Sequence, residues 1–187
     1  MRLHISTHNS KLGNIHNISL PPITTCCIPL PCVSDCYALR AYNRWGNVRK
    51  AWDANYEMLI RDKYRYWSGI QDYIESNKPK YFRFHIGGDI LNQDYFDWMK
   101  ELAGTCYTKF LVFTKNYELD FDAPIPQNLT IILSAWPGLE LPKTTLPIAF
   151  MQNGSEDRVI DAIECKKKCD RCFSCWGIKS NVVFKKH

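Results

Sequence analysis

No run in this chain is apolar enough for long enough to span a bilayer, and its opening Met-Arg-Leu-His-Ile-Ser lacks the apolar core of a secretory signal. It holds no nucleotide-binding glycine loop, no zinc-protease helix motif and no Ser/His/Asp order. Internal repeats and low-complexity linkers are missing too. Charge of one sign is not in large excess: 24 basic against 19 acidic residues give +5, which permits an anionic partner without requiring one. These absences set aside membrane proteins, common nucleotide hydrolases and hydrolytic triads. They leave one globular domain over residues 1–187, expected in the cytoplasm.

What the chain has is sulfur. Nine cysteines are an odd number, which in an oxidising compartment would strand one thiol and in a reducing one suggests ligands plus a spare. Cys26, Cys27, Cys32 and Cys36 fall within eleven residues, the last leading straight into a helix-forming segment. Cys165, Cys169, Cys172 and Cys175 form a second run of eleven, spaced x3, x2, x2. A zinc ribbon splits its ligands into two distant knuckles, whereas this run is continuous. Its nearest pattern is the ferredoxin run C-x2-C-x2-C-x3-C with the gaps in the opposite order, so iron–sulfur ranks ahead of zinc. Phe173 and Trp176 are placed to shield such a cluster, or are simply core. In the first group, Cys32 and Cys36 with Cys26 or Cys27 supply three thiolates. A cubane held by three keeps one iron open to a substrate or cofactor, and a fourth thiolate would close it. Cys165 is a candidate to cross over to that site. Isolated Cys106 reads as a buried structural thiol.

Between the two groups the pattern is α/β. Helical spacing runs from Cys36 to Arg44, from Val48 to Arg61 through Val48, Ala51, Trp52, Tyr56, Leu59 and Ile60, and from Asp62 to Asn77 through Tyr64, Trp67, Ile70 and Ile74. Gln93–Ala103 reads as a further helix, and Ser155–Glu164 as another with Ser155 as its cap. Short apolar runs at Tyr81–Ile86, Phe110–Thr114, Leu129–Ser134, Pro147–Met151 and Val182–Phe184 suit strands covered on both faces, with Arg2–Ser6 as a first strand and Asn9–Leu20 as loop. The connections 115–128 and 135–146 are proline-rich and carry little helix signal. The fold expected is a compact partial (β/α) barrel or open parallel sheet with cysteine-rich terminal loops. Ligands in such sheets gather at the carboxyl ends of strands, where Gly87-Gly88-Asp89, Thr114-Lys115, Ser134 and Gln152 stand.

Arg83 and His85 alternate with Phe82 and Phe84, so an unbroken strand would present both to one face, near that mouth. Lys115 is placed to meet an anionic substrate. The basic-aromatic stretch Arg61–Trp67 resembles a base-stacking surface, though half-buried tyrosines on an amphipathic helix give the same pattern.

Several of these pieces resemble the phage gene product 88 family: C-x3-C-Y-A-L-R-A at Cys32–Ala41, Asn47-Val48, Asn55, R-F-H-I-G-G-D at Arg83–Asp89, F-T-K at Phe113–Lys115, Leu133-Ser134, and C-x2-C-x2-C-W ending at Trp176. That family is similar to radical S-adenosylmethionine (SAM) enzymes. The resemblance implies a 4Fe–4S cluster on Cys27 (or Cys26), Cys32 and Cys36, with Tyr37 beside a ligand. It also implies that Gly87-Gly88-Asp89 stands where a G-G-E motif receives the SAM amino group. The superfamily spacing is C-x3-C-x2-C, where this chain has Leu39 in place of the third cysteine, and Asp89 replaces the Glu. Together these readings give an iron–sulfur protein, a radical-SAM-like or redox enzyme with an auxiliary C-terminal cluster. Metal ligands are Cys26, Cys27, Cys32, Cys36, Cys165, Cys169, Cys172 and Cys175. Arg83, His85, Asp89 and Lys115 are catalytic candidates, and Tyr37, Gly87, Gly88, Asp89 and Ser134 would contact SAM. The alternative is a non-enzymatic iron–sulfur or zinc module that binds nucleic acid or a host protein in the host cytoplasm.

Overall fold

The computed structural model describes residues 2–26, 31–152 and 161–185. Its centre is a seven-stranded sheet in which every pairing is parallel. The strands are β1 (His16–Ile18), β2 (Tyr81–Phe84), β3 (Lys109–Thr114), β4 (Leu129–Ser134), β5 (Ile148–Met151), β6 (Ala162–Glu164) and β7 (Asn181–Phe184), in the order β1-β2-β3-β4-β5-β7-β6. Helices α1 (Tyr37–Arg44), α2 (Gly46–Arg61) and α3 (Lys63–Asn77) all lie between β1 and β2, and α4 (Gln93–Gly104) connects β2 to β3. As the prolines foretell, the β3–β4 and β4–β5 connections contain no helix. A four-residue helix, α5 (Cys169–Cys172), carries part of the second cysteine run.

Helix boundaries follow local chemistry. The Asp62 side chain accepts from the Arg65 N–H at 2.9 Å and the Asn92 side chain from Tyr95 N–H at 2.9 Å, capping α3 and α4. Lys78 ends α3 in the left-handed region at φ 45°. The buried stripe Tyr66, Trp67, Ile70, Ile74 of α3 and Tyr95, Phe96, Met99, Leu102 of α4 packs on Ile18, Phe82, Phe84, Phe110, Val112 and Ile131. Each of these fully buried large side chains contributes on the order of 1.5–3 kcal/mol. Two expected inward residues are not inward: Ile60 is 62% exposed and Tyr64 66%, because the seams of α2 and α3 turn Met58, Leu59 and Tyr66 to the core instead.

The opposite face of the sheet carries Leu111, Ile132, Ala149 and Val182, and it is covered by Leu12, Ile15 and the C-terminal Phe173–Trp176 segment. Coverage on both faces explains the continuous apolar strands. Two sequence expectations are corrected. Arg2–Ser6 is not a sheet strand; Ser6 makes an isolated antiparallel bridge to Asn17, and the edge strand is His16–Ile18, inside the expected loop. Asn17 hides that strand from a hydropathy reading, yet its buried amide is satisfied by the carbonyls of Ile15 and Ser6. Of the expected helix Ser155–Glu164, residues up to 160 lie outside the described residues, and Ala162–Glu164 is an edge strand beside β7.

Asn55, on α2, is fully buried. Its amide donates to the carbonyls of His4 (2.9 Å) and Ser19 (3.0 Å) and its oxygen accepts from His4 N–H (2.8 Å). It ties the N-terminal segment and the exit of β1 to the helix, fixing where the first cysteine loop begins.

Candidate metal and ligand site

The carboxyl ends of the central strands open onto a cavity of about 150 Å³. Gly88 and Asp89 follow β2, Thr114 and Lys115 close β3, Ser134 and Ala135 close β4, Met151 ends β5 and Phe184 ends β7, and all of them line it. Cys26, Cys32, Cys36 and Tyr37 line the same cavity from the loop after β1 and the start of α1. Three thiols scattered over eleven residues therefore meet the strand ends at one mouth. Cys27 lies outside the described residues. Cys36 also caps α1, its Sγ accepting from Leu39 N–H at 3.4 Å. Burial pushes the Cys26 thiol up to about 12, and the charges of Asp89, Cys32 and Cys36 add to this against its hydrogen bond with Ile23. Burial also raises Cys32, against the pull of Lys115.

Gly87-Gly88-Asp89 has a packing explanation. A Cβ on Gly87 would stand 2.3 Å from the Trp52 ring of α2. Gly88, at φ +78°, would put one 2.4 Å from Thr25 Oγ1 and 3.0 Å from the Leu20 carbonyl. The pair lets α2 and the loop leading to Cys26 close on the end of β2. Asp89 is buried and fully engaged: Oδ1 accepts from Thr114 Oγ1 (2.6 Å) and Ile90 N–H (2.7 Å), and Oδ2 from Lys115 N–H (2.9 Å). Burial raises its pKa while these bonds hold it down. Gly88→Ala should cost about 2–5 kcal/mol, from left-handed strain plus overpacking, and should raise the alkylation rate of Cys26 as its loop lifts. Gly104→Ala, which meets nothing within 4 Å, is the control that should leave both urea midpoint and alkylation unchanged.

Arg83 and His85 both line the mouth, but differently. Arg83 stays in β2, its guanidinium 4.7 Å from the Phe113 ring centre, and it is 6% exposed. At His85 the backbone turns left-handed, φ 59°, which interrupts the alternation with Arg83. Its ring packs against Phe84 and Tyr95, with centroids 6.0 and 5.5 Å away, and neither ring nitrogen has a partner among the described residues. Burial, reinforced by the Arg83 charge, lowers its pKa to about 3. Lys115 Nζ lies 5.6 Å from the Trp136 ring. The Tyr37 hydroxyl donates to the Ile86 carbonyl at 2.9 Å and the Tyr117 hydroxyl to the Ser134 carbonyl.

The second thiol group lies on the face of the sheet opposite α3 and α4. Cys165, Cys169, Cys172 and Cys175 line one pocket of about 220 Å³ with Phe173, Trp176 and Val182. Phe173 stacks on Tyr81 of β2 (4.5 Å, 21°), and Trp176 Nε1 donates to the Phe82 carbonyl at 3.3 Å. Burial pushes Cys175 up to about 12, raised further by Cys165 and Cys169 and opposed by Arg83. Burial likewise raises Cys169, against Arg83 and Lys11. The Ser174 hydroxyl lowers Cys172. Arg83 thus lines the first thiol site and acts electrostatically on the second. A further pocket of about 320 Å³, walled by Lys11, Tyr37, Cys165 and Phe184, adjoins both. Among the described residues, no three His, Cys, Asp or Glu side chains group as they would around a single metal ion.

Lys11 and Tyr117 escaped the sequence reading. Lys11 sits in an Asn9-capped turn, its Nζ 5.1 Å from the Tyr37 ring and 5.4 Å from that of Phe184. The Tyr117 hydroxyl reaches the carbonyl of Ser134, a mouth residue, and burial and the charges of Asp89 and Cys32 push it up to about 12. Neither carries a local signature.

No curated protein and no solved structure matches this chain. The family model for gene product 88 matches residues 4–138, which contain the whole first thiol group, Asn55, Gly87-Gly88-Asp89, Lys115 and Ser134 but stop short of the second cysteine run. That stretch is well over half of the 187 residues, and the chain belongs to the gene product 88 family.

Proposed function

We propose that the chain is an iron–sulfur protein acting as a redox or radical enzyme, with its reacting site at the mouth of the sheet. Cys32 and Cys36, with Cys26 or Cys27, would hold one cluster. Cys165, Cys169, Cys172 and Cys175 would hold a second. The observation that carries the reading is Arg83: a buried guanidinium without a carboxylate partner among the described residues, beside both thiol groups. Burying such a charge costs several kcal/mol unless an anion offsets it, and metal-bound thiolates are the anions at hand.

The donor set fits. Cys26, Cys32 and Cys36 line the first pocket and four cysteines line the second beside Phe173 and Trp176, soft sulfur donors of the kind a cluster takes. When bound, a cluster with one uncoordinated iron supplies electron transfer to a chelating ligand. Chelation by SAM is the form of that chemistry the family resemblance suggests. The protein's own part is then positional. Gly88 holds the loop to Cys26, Asp89 pins the end of β2 to that of β3, and Lys115 and Arg83 set a positive field over the thiols.

Purified without oxygen, the chain should carry about eight irons and eight sulfides, the count for two cubanes. Zinc with no sulfide would sink the reading in favour of a structural metal module.

A further inference from the structure

The polar groups left over at the mouth are one-sided. Among the described residues, the one carboxylate lining it, Asp89, already accepts three hydrogen bonds. Thr114 Oγ1 is engaged as donor to Asp89 and acceptor from Asn116 N–H, and Tyr37 OH donates to Ile86. What remains is cationic or able to donate. Among the described residues, Arg83 Nε is buried with no acceptor, and His85 is 3% exposed with both ring nitrogens unpartnered. Lys11 and Lys115 line the same cavity and make no ion pair among the described residues. Donors buried without acceptors are costly, and where they cluster in a concave site they point to a ligand that supplies the acceptors.

We infer that the mouth binds a small organic anion, a carboxylate or a phosphate ester, through Arg83 and Lys115, with Lys11 on the side that opens toward the neighbouring pocket. The inference builds on the proposed function in taking the adjoining thiols as the reacting wall, but the anion contacts themselves are made by protein side chains. Size supports the class. A cavity of about 150 Å³, shared with whatever the thiols lining it hold, takes a small acid and excludes a polymer. Arg83 can give a planar two-point contact to either acid group, while Lys115 offers a point charge. Lys11, Tyr37 and Phe184 also line the larger pocket of about 320 Å³, so a longer ligand has somewhere to extend.

The test is calorimetric titration of the anaerobically purified full chain with pyruvate and, separately, with inorganic phosphate, alongside an iron count. One of the two should bind with one-to-one stoichiometry, and which one identifies the acid group. Arg83→Gln should weaken that binding about tenfold or more, the effect of losing one charge-assisted contact. Should Arg83→Gln fail to fold, Lys115→Met carries the test and should weaken binding several-fold. Heat from neither anion overturns the inference, as does unchanged affinity in the folded variant. Iron uptake without anion binding sinks this inference alone, and anion binding without iron sinks the cluster reading alone.

Discussion

Replacing Cys32 and Cys36 together by serine should strip about four irons from the chain and leave its fold nearly untouched, whereas replacing Cys169 and Cys175 should remove irons and destabilise it. The asymmetry follows from where the sulfurs sit. Cys32 and Cys36 stand on the rim, in and after a short 3-10 turn (Pro31–Asp35) that contains no buried residue. Among the described residues, the Cys36 side chain makes one hydrogen bond, accepting from Leu39 N–H as the cap of α1, a role serine fills at least as well. Unfolding of that double variant should lie within about 0.5 kcal/mol of the parent when both are metal-free. Cys169 and Cys175 instead pack against the apolar cluster of Leu12, Leu111, Ile132, Trp176 and Val182. A hydroxyl there without a partner costs about 1–3 kcal/mol. On the proposed cluster reading, the loss of a metal that binds only the folded chain would add to it. Iron analysis and urea denaturation of the two double variants decide the matter. Full iron in the first, or equal stability in both, would remove the N-terminal thiols from the site or the C-terminal ones from the core.

The sequence shows the mouth better than it shows the walls. Strand ends could be found because apolar runs stop at Gly87, Lys115 and Ser134, and parallel sheets gather ligands at such ends. That rule places residues from five strands and the cysteine loop around one cavity without any knowledge of side-chain contacts. The first strand was illegible because three residues, two of them polar, leave no period to read. The orientation of His85 was illegible because alternation assumes extended backbone, and the left-handed turn there is not written in R-F-H-I. The position of the C-terminal thiols depends on Trp176 reaching the Phe82 carbonyl and Phe173 reaching Tyr81 across more than ninety residues. Contacts at that separation are set by the closed fold, so no local pattern announces them.

His85 makes the protein acid-sensitive in a way a single substitution should abolish. Its pKa is about 3 in the folded chain against 6.5 ordinarily, lowered by burial and by the Arg83 charge. Above pH 6.5 both folded and unfolded chains hold it neutral and it contributes no slope. Below that, the unfolded chain takes up a proton that the folded chain refuses, so stability falls at up to about 1.4 kcal/mol per pH unit until the folded pKa is reached. Between pH 6.5 and 5 the loss is about 2 kcal/mol. Asp89 acts in the opposite sense: its raised pKa means the folded chain binds that proton more readily, which returns stability as pH falls through its range. That gain starts at the raised folded value and is complete near the ordinary 3.8, so within the acid limb Asp89 offsets part of the His85 loss, while His16, lowered by burial, acts in the same direction as His85. Urea unfolding at pH 7 and pH 5 should show this drop in the parent, and His85→Gln, which keeps an amide donor at the site but cannot titrate, should flatten it. Parallel losses in parent and variant would place the proton elsewhere and show that His85 is accessible to water at the mouth.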